Sequence, residues 1–240
     1  MKPQFVRGVN NIYPISILDY EDFKSLFVTY LILDIPELNN SMKQNGHPKL
    51  PYDNLFDYVI SLLNVGEDEN IKKLNELYLC ELFRMTVKND VTYNRISQCF
   101  TIKKDEKVVG YIGADNFKEY RDKVMEMNLI FTPMIAPNKQ AQKYIDAELN
   151  KGESNESDIE TIVALVSVSS NKDISKYSYY RLMADYCILI SQMNRNDTVQ
   201  YKSGGFTSEG GGQLEVPNIT ERLSILSNPY DRIFSTVKDD

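Results

Sequence analysis

Apolar residues recur at helical spacing along most of this chain and alternate in one stretch, and that change of period constrains the fold more than any motif does. Asp19 reads as a helix N-cap, with Glu21 and Asp22 in the first turn, where carboxylates complement the helix dipole. Phe23, Leu26, Phe27, Tyr30, Leu31 and Asp34 follow on one face, and Pro36 should stop the helix because the residue before a proline is pushed out of the helical region. Residues 36–51 hold Pro36, Gly46, Pro48 and Pro51 and read as a loop. Asp53 then caps a second helix bearing Leu55, Phe56, Val59, Ile60, Leu62 and Leu63. Asp68 opens a third, with Ile71, Leu74, Leu77, Tyr78, Leu82 and Phe83 as its buried seam.

From Met85 to Tyr93 and from Gln98 to Ile112 the texture turns to Thr, Val, Tyr and Ile, with alternation in Phe100–Lys103 and Val108–Ile112. Lys104-Asp105-Glu106-Lys107 between the last two reads as a hairpin turn. Asn11–Leu18 also alternates, around Pro14, and suggests a short entry or edge strand. Helical spacing resumes after Asp115 or Asn116, with Phe117, Tyr120, Val124 and Met127 inward, again after Asn138, and again over Ile159–Val168, opened by a capping box at Ser157–Glu160. The last long helix covers Ser175 to Gln192, with Tyr179, Leu182, Met183, Tyr186, Ile190 and Met193 on one side. The expected fold is mainly α, a single-domain helical bundle with a small inserted antiparallel β-hairpin or sheet. Residues 1–197 form the helical domain, with the β insertion near 85–113. Residues 198–240 form a Gly-rich loop or arm and a C-terminal segment that packs on the same domain.

Charge and side-chain chemistry narrow the function. The 240 residues carry 34 acids against 27 bases, a net charge of −7, which repels phosphate backbones and argues against a nucleic-acid partner. The basic pairs Lys72-Lys73 and Lys103-Lys104 are each followed by acids and read as solvated faces. Cys80, Cys99 and Cys187 are odd in number and widely spaced, so neither a disulfide framework nor a zinc site is expected. Cys80 and Cys187 lie in apolar helical patterns and read as small hydrophobes. The one histidine, His47, stands in a turn composition, Asn45-Gly46-His47-Pro48. Met1–Asn10 lacks the apolar core of a signal peptide, and the apolar-rich stretch Phe23–Ile35 is broken by Lys24, Ser25, Thr29 and Asp34, so no membrane partner is expected.

No catalytic, metal or cofactor site emerges. The carboxylate groups Asp19/Asp22, Glu67/Asp68/Glu69, Glu153/Glu156/Asp158 and Asp239/Asp240 fall at helix starts, in a loop or at the terminus, where capping or solvation accounts for them. Between Thr198 and Gly212 lie five of the eleven glycines, Gly204, Gly205, Gly210, Gly211 and Gly212, around Phe206. Gly212 is followed by Gln213 and Leu214 rather than Lys and Ser or Thr, and no strand–loop–helix unit surrounds the segment, so neither phosphate-loop pattern is met. The glycines read instead as a loop or arm that orders against a neighbour. Sixteen tyrosines accompany no tryptophan, and Tyr177, Tyr179, Tyr180 and Tyr186 crowd one helix whose spacing cannot bury all four. Tyrosine suits protein interfaces and core rims alike. Candidate protein-interface residues are therefore Tyr177, Tyr180, Gly204, Gly205, Phe206, Gly210, Gly211 and Gly212.

Several segments together carry a family resemblance. They are Ile12-Tyr13-Pro14-Ile15 with Asp19–Phe23, Asn116-Phe117 leading to Val124 and Asn128, Asp158–Ser167, Ser178-Tyr179-Tyr180-Arg181-Leu182 to Met193, and Asn228-Pro229-Tyr230-Asp231 with Phe234. In these the chain resembles tail-region proteins of tailed phages that infect Gram-positive bacteria, a group of tail assembly chaperones and minor tail or baseplate components. Gly204–Gly212 lies outside that pattern. The resemblance implies a non-enzymatic morphogenesis protein that acts through protein contacts with phage tail or baseplate proteins, alone or as an oligomer within an assembly. It would be made in the host cytoplasm and either released or incorporated in the virion. Two alternatives remain open: a phage-encoded regulator or inhibitor of a host protein, and an enzyme whose active-site residues come from separate helices.

Overall fold

The computed structural model describes residues 2–64, 68–150, 159–171, 173–203 and 228–230. Two short strands, β1 (Gln4–Val6) and β2 (Asn10–Ile12), form an antiparallel hairpin. A 3₁₀ turn, Ile17–Asp19, leads into α1 (Tyr20–Tyr30), α2 (Ile35–Gln44), α3 (Leu55–Asn64) and α4 (Glu69–Val87). The antiparallel sheet β3 (Asp90–Asn94), β4 (Cys99–Lys104) and β5 (Lys107–Ile112) comes next, in the order β3-β4-β5. Four helices complete the described chain: α5 (Phe117–Met127), α6 (Lys139–Asn150), α7 (Ile159–Ser170) and α8 (Tyr179–Ser203). The fold is mainly α with a small inserted antiparallel sheet, as the sequence periods indicate.

Local chemistry explains where the elements begin, and five details differ from the sequence reading. Residues 35–44 are α2 rather than loop, because Asp34 accepts the Ile35 amide as N-cap and Pro36 sits in the first turn, where its missing N–H costs nothing. Asp34 thus starts a helix instead of continuing α1. Asn54, not Asp53, caps α3: its carbonyl accepts the Asp57 amide and its own amide donates to the Asp57 carboxylate. Met85, Thr86 and Val87 continue α4 instead of opening a strand, since tertiary packing of Thr86 and Val87 overrides their β propensity. Asp19 makes no capping bond with its side chain, which accepts the Ser16 hydroxyl instead. α8 also runs past residue 197, because Thr198–Lys202 contains no helix breaker before Gly204 and the Thr198 hydroxyl folds back onto the Asn194 carbonyl.

The main core runs from Val6 to Ile130 without interruption. Phe83 of α4 meets Phe100 of β4, Tyr120 of α5 and Phe117 of α5 edge-on, with ring centroids 4.6, 5.6 and 6.5 Å apart. The Thr86 hydroxyl donates to the Phe83 carbonyl at 2.8 Å, so the buried Tyr120 hydroxyl donates to Thr86 at 2.6 Å. Three buried polar residues in or beside α5 tie distant segments together. Asn116 accepts the Gly113 amide and donates to the Arg7 and Tyr111 carbonyls. Asn128 accepts the Ile15 amide and donates to Val124. Arg121 donates to the carbonyls of Leu31 and Ile32, closing the end of α1.

The N-terminal hairpin packs on the edge of the sheet. A Cβ at Gly110 would stand 2.6 Å from the Gly8 carbonyl oxygen, so β5 carries glycine where the hairpin turn crosses it. A second, smaller cluster, Ile162, Val166, Ile174 and Leu182, joins α7 to α8, and a third joins Ala136 to Ile145 of α6 with Tyr230 packed against it.

Candidate functional site

α4 contributes to both core and surface. Leu79, Cys80, Leu82, Phe83, Thr86 and Val87 are buried, but Ile71, Leu74, Leu77 and Tyr78 are 55%, 45%, 57% and 39% exposed. The seam read from the sequence therefore divides: its C-terminal half enters the core, and its N-terminal half stands on the surface as an apolar stripe at i, i+3 and i+7 with Leu77 beside it. The stripe is polar at its margins. Asn75 accepts the Tyr30 hydroxyl at 3.0 Å and donates to the Leu62 carbonyl, Lys72 pairs with Glu69, and Glu76 pairs with Arg95. The Tyr78 hydroxyl lies close enough to Tyr30 to raise the Tyr30 phenol further, after burial has already raised it.

Of the residues expected at an interface, Tyr177 and Tyr180 lie at the start of α8, both half-buried. Tyr177 packs against the Ile162–Leu182 cluster, its carbonyl accepts the Ile17 amide at 2.9 Å, and the Arg181 guanidinium lies 5.1 Å over its ring. The neighbouring Tyr179 stacks on Tyr20 with ring centroids 3.8 Å apart and planes 9° from parallel. Ser16 and Ser178 form an antiparallel bridge between them. The tyrosine-rich start of α8 is thus the seam that fastens the C-terminal helices to the N-terminal body. Gly204, Gly205, Phe206, Gly210, Gly211 and Gly212 lie outside the described residues.

The same seam gathers charge. Lys88, Lys176 and Arg181 line an open cleft of about 490 Å³ together with Asp173, Tyr177 and Ser178. A second cavity, about 320 Å³, is bounded by Asp34, Phe56, Phe117 and Arg121, but Arg121 turns its donors inward to backbone carbonyls and to Thr132. Burial disfavours the Arg121 charge, and Asp34 and Asp122 nearby offset that. Arg121 therefore braces helix ends rather than presenting a cation to a ligand.

Other candidate chemistry resolves into structure. Asp68 caps α4 through the Asn70 amide, and burial pushes the Cys80 thiol up to about 11. His47 is exposed in the turn after α2. Among the described residues, no three His, Cys, Asp or Glu side chains converge as a metal site requires, and no helix is long and apolar enough to cross a membrane. Comparison with protein-family models, with curated proteins and with solved structures yields no significant match.

Proposed function

We propose that this chain works by binding other proteins, as a phage morphogenesis protein that takes part in tail assembly or stays in the virion as a small component. The observation that carries the reading is the exposed stripe Ile71–Leu74–Leu77–Tyr78 on α4. A contiguous apolar surface rimmed by polar groups marks a protein contact, and a straight stripe along one helix suits an apolar helix face laid against it. The sequence resemblance supplies the setting, and the partner in that setting is a tail or baseplate protein.

The test combines a count with a variant. Mass spectrometry of purified virions and of infected-cell lysate should find this protein in the virion at a fixed low ratio to the major tail protein, or in lysate bound to a tail protein. The double variant Leu74→Asp, Leu77→Asp should retain the far-UV circular dichroism of the parent and lose that association at least tenfold, roughly 1.4 kcal/mol. Association with host proteins alone would move the reading to a host-directed regulator. Undiminished association in the charged variant would overturn α4 as the contact.

A further inference from the structure

We propose that the cleft at the seam between the N-terminal body and α8 binds a phosphate monoester. Three cations reach it from three parts of the chain: Lys88 from the end of α4, Lys176 from the segment before α8, and Arg181 from the first turn of α8. Asp173 lines the cleft with them and Asp185 pairs with Arg181 from outside it, so cations outnumber carboxylates by one, in a chain whose net charge is −7. The local surplus of positive charge therefore runs against the composition of the whole chain.

The geometry shows which of these groups are free to act. Lys88 is held at φ 56°, the left-handed conformation that glycine ordinarily supplies at a helix end. A lysine there accepts backbone strain that glycine would not, and Lys88 lines the cleft at the end of α4. Among the described residues, neither the Lys88 nor the Lys176 ammonium pairs with a carboxylate within 4.0 Å. Arg181 is anchored through Nε to Asp185 at 3.2 Å and lies over Tyr177, which fixes its guanidinium at the cleft wall. Asp173 is already engaged by the Ser175 hydroxyl and amide, which hold its carboxyl below the usual range with help from Lys176.

What remains turned to the cleft is donor-rich. The Ser178 hydroxyl accepts the Arg181 amide at 3.3 Å, which leaves its own proton to give. The start of the 25-residue α8 adds positive potential behind it. Such a lining selects a ligand that only accepts hydrogen bonds and carries close to two negative charges. A single carboxylate has one charge, whereas a phosphate monoester at neutral pH carries nearly two and three acceptor oxygens. The inference is independent of the apolar face of α4.

The full chain, labelled with ¹⁵N, is titrated separately with O-phosphoserine, with a short peptide containing phosphoserine, and with the unphosphorylated peptide. Saturable shifts of the Lys88, Lys176 and Ser178 amides are expected with both phosphorylated probes and not with the third. The variant Lys88→Gln, Lys176→Gln should keep the spectrum of the folded parent and weaken binding roughly tenfold. Similar affinity for the two probes makes a free phosphate ester the source, and a much tighter peptide makes it a phosphorylated protein. Absence of saturable shifts at millimolar probe overturns the proposal. So does binding that the double variant leaves unchanged.

Discussion

In the N-terminal body, 29 buried residues form one cluster around Phe83, drawn from all five helices α1–α5 and all five strands β1–β5. α7 and α8, 12 and 25 residues long, share four: Ile162, Val166, Ile174 and Leu182. Val168, Met193, Val199 and Tyr201 on those helices are 84%, 49%, 48% and 57% exposed. The body holds itself together through this one shared cluster, to which each of its helices and strands contributes at least one buried residue. The α7–α8 hairpin has a thin core of its own and takes its position from the seam, through the Ser16–Ser178 bridge and the Tyr20–Tyr179 stack. Regions with few buried apolar contacts open at lower free energy than the global transition, so the hairpin should open first.

Four experiments test that contrast. The largest effect belongs to Phe83→Ala, which empties the centre of the body and should lower global stability by about 3–5 kcal/mol, read from the urea midpoint by circular dichroism. Leu182→Ala should cost about 2–4 kcal/mol and confine the loss to the hairpin. Amide exchange should then speed up in α7 and α8 while α4 and α5 keep their protection, and equal acceleration everywhere would make the molecule a single cooperative unit.

The third experiment uses the two buried thiols, Cys80 in the body and Cys187 in the hairpin. Burial raises both pKa values. In mild urea at pH 8, Cys187 should be alkylated about tenfold faster than Cys80, reflecting roughly 1.4 kcal/mol less to open. The sign of the pH effect follows from the raised value. The fold favours the protonated Cys80 thiol, so its contribution is complete below its ordinary pKa of 9.0 and is lost as pH rises through about 11. The parent should therefore lose stability on alkaline titration more steeply than Cys80→Ala. The smallest effect is a gain. Asp105 and Glu106 both have positive φ in the two-residue turn between β4 and β5, so Glu106→Gly should stabilise the body by about 1 kcal/mol without altering exchange in α8.

The sequence carries the body far better than the seam. Phe117, Tyr120, Val124 and Met127 of α5 are legible because a helix buried on one side must repeat its apolar residues at that spacing, and all four are buried. The β4–β5 hairpin is legible for the same reason at period two. α2 is hidden because Pro36 looks the same whether it ends one helix or begins the next, and only the Asp34 cap distinguishes the two. The exposure of Ile71, Leu74 and Leu77 is equally hidden, since periodicity shows that a face is apolar and not what covers it. Lys88 and Lys176 come together only because Ser16 pairs with Ser178, a long-range contact that no local spacing encodes.

That pairing also sets a mechanical ratio. At 1.5 Å of rise per residue, the 25 residues of α8 reach about 37 Å from the bridge to Ser203. A rotation of about ten degrees at Ser178 would sweep the far end through roughly 6 Å. The short contact at Ser16 is the fulcrum, and α8 is the long side of a lever whose aim it fixes.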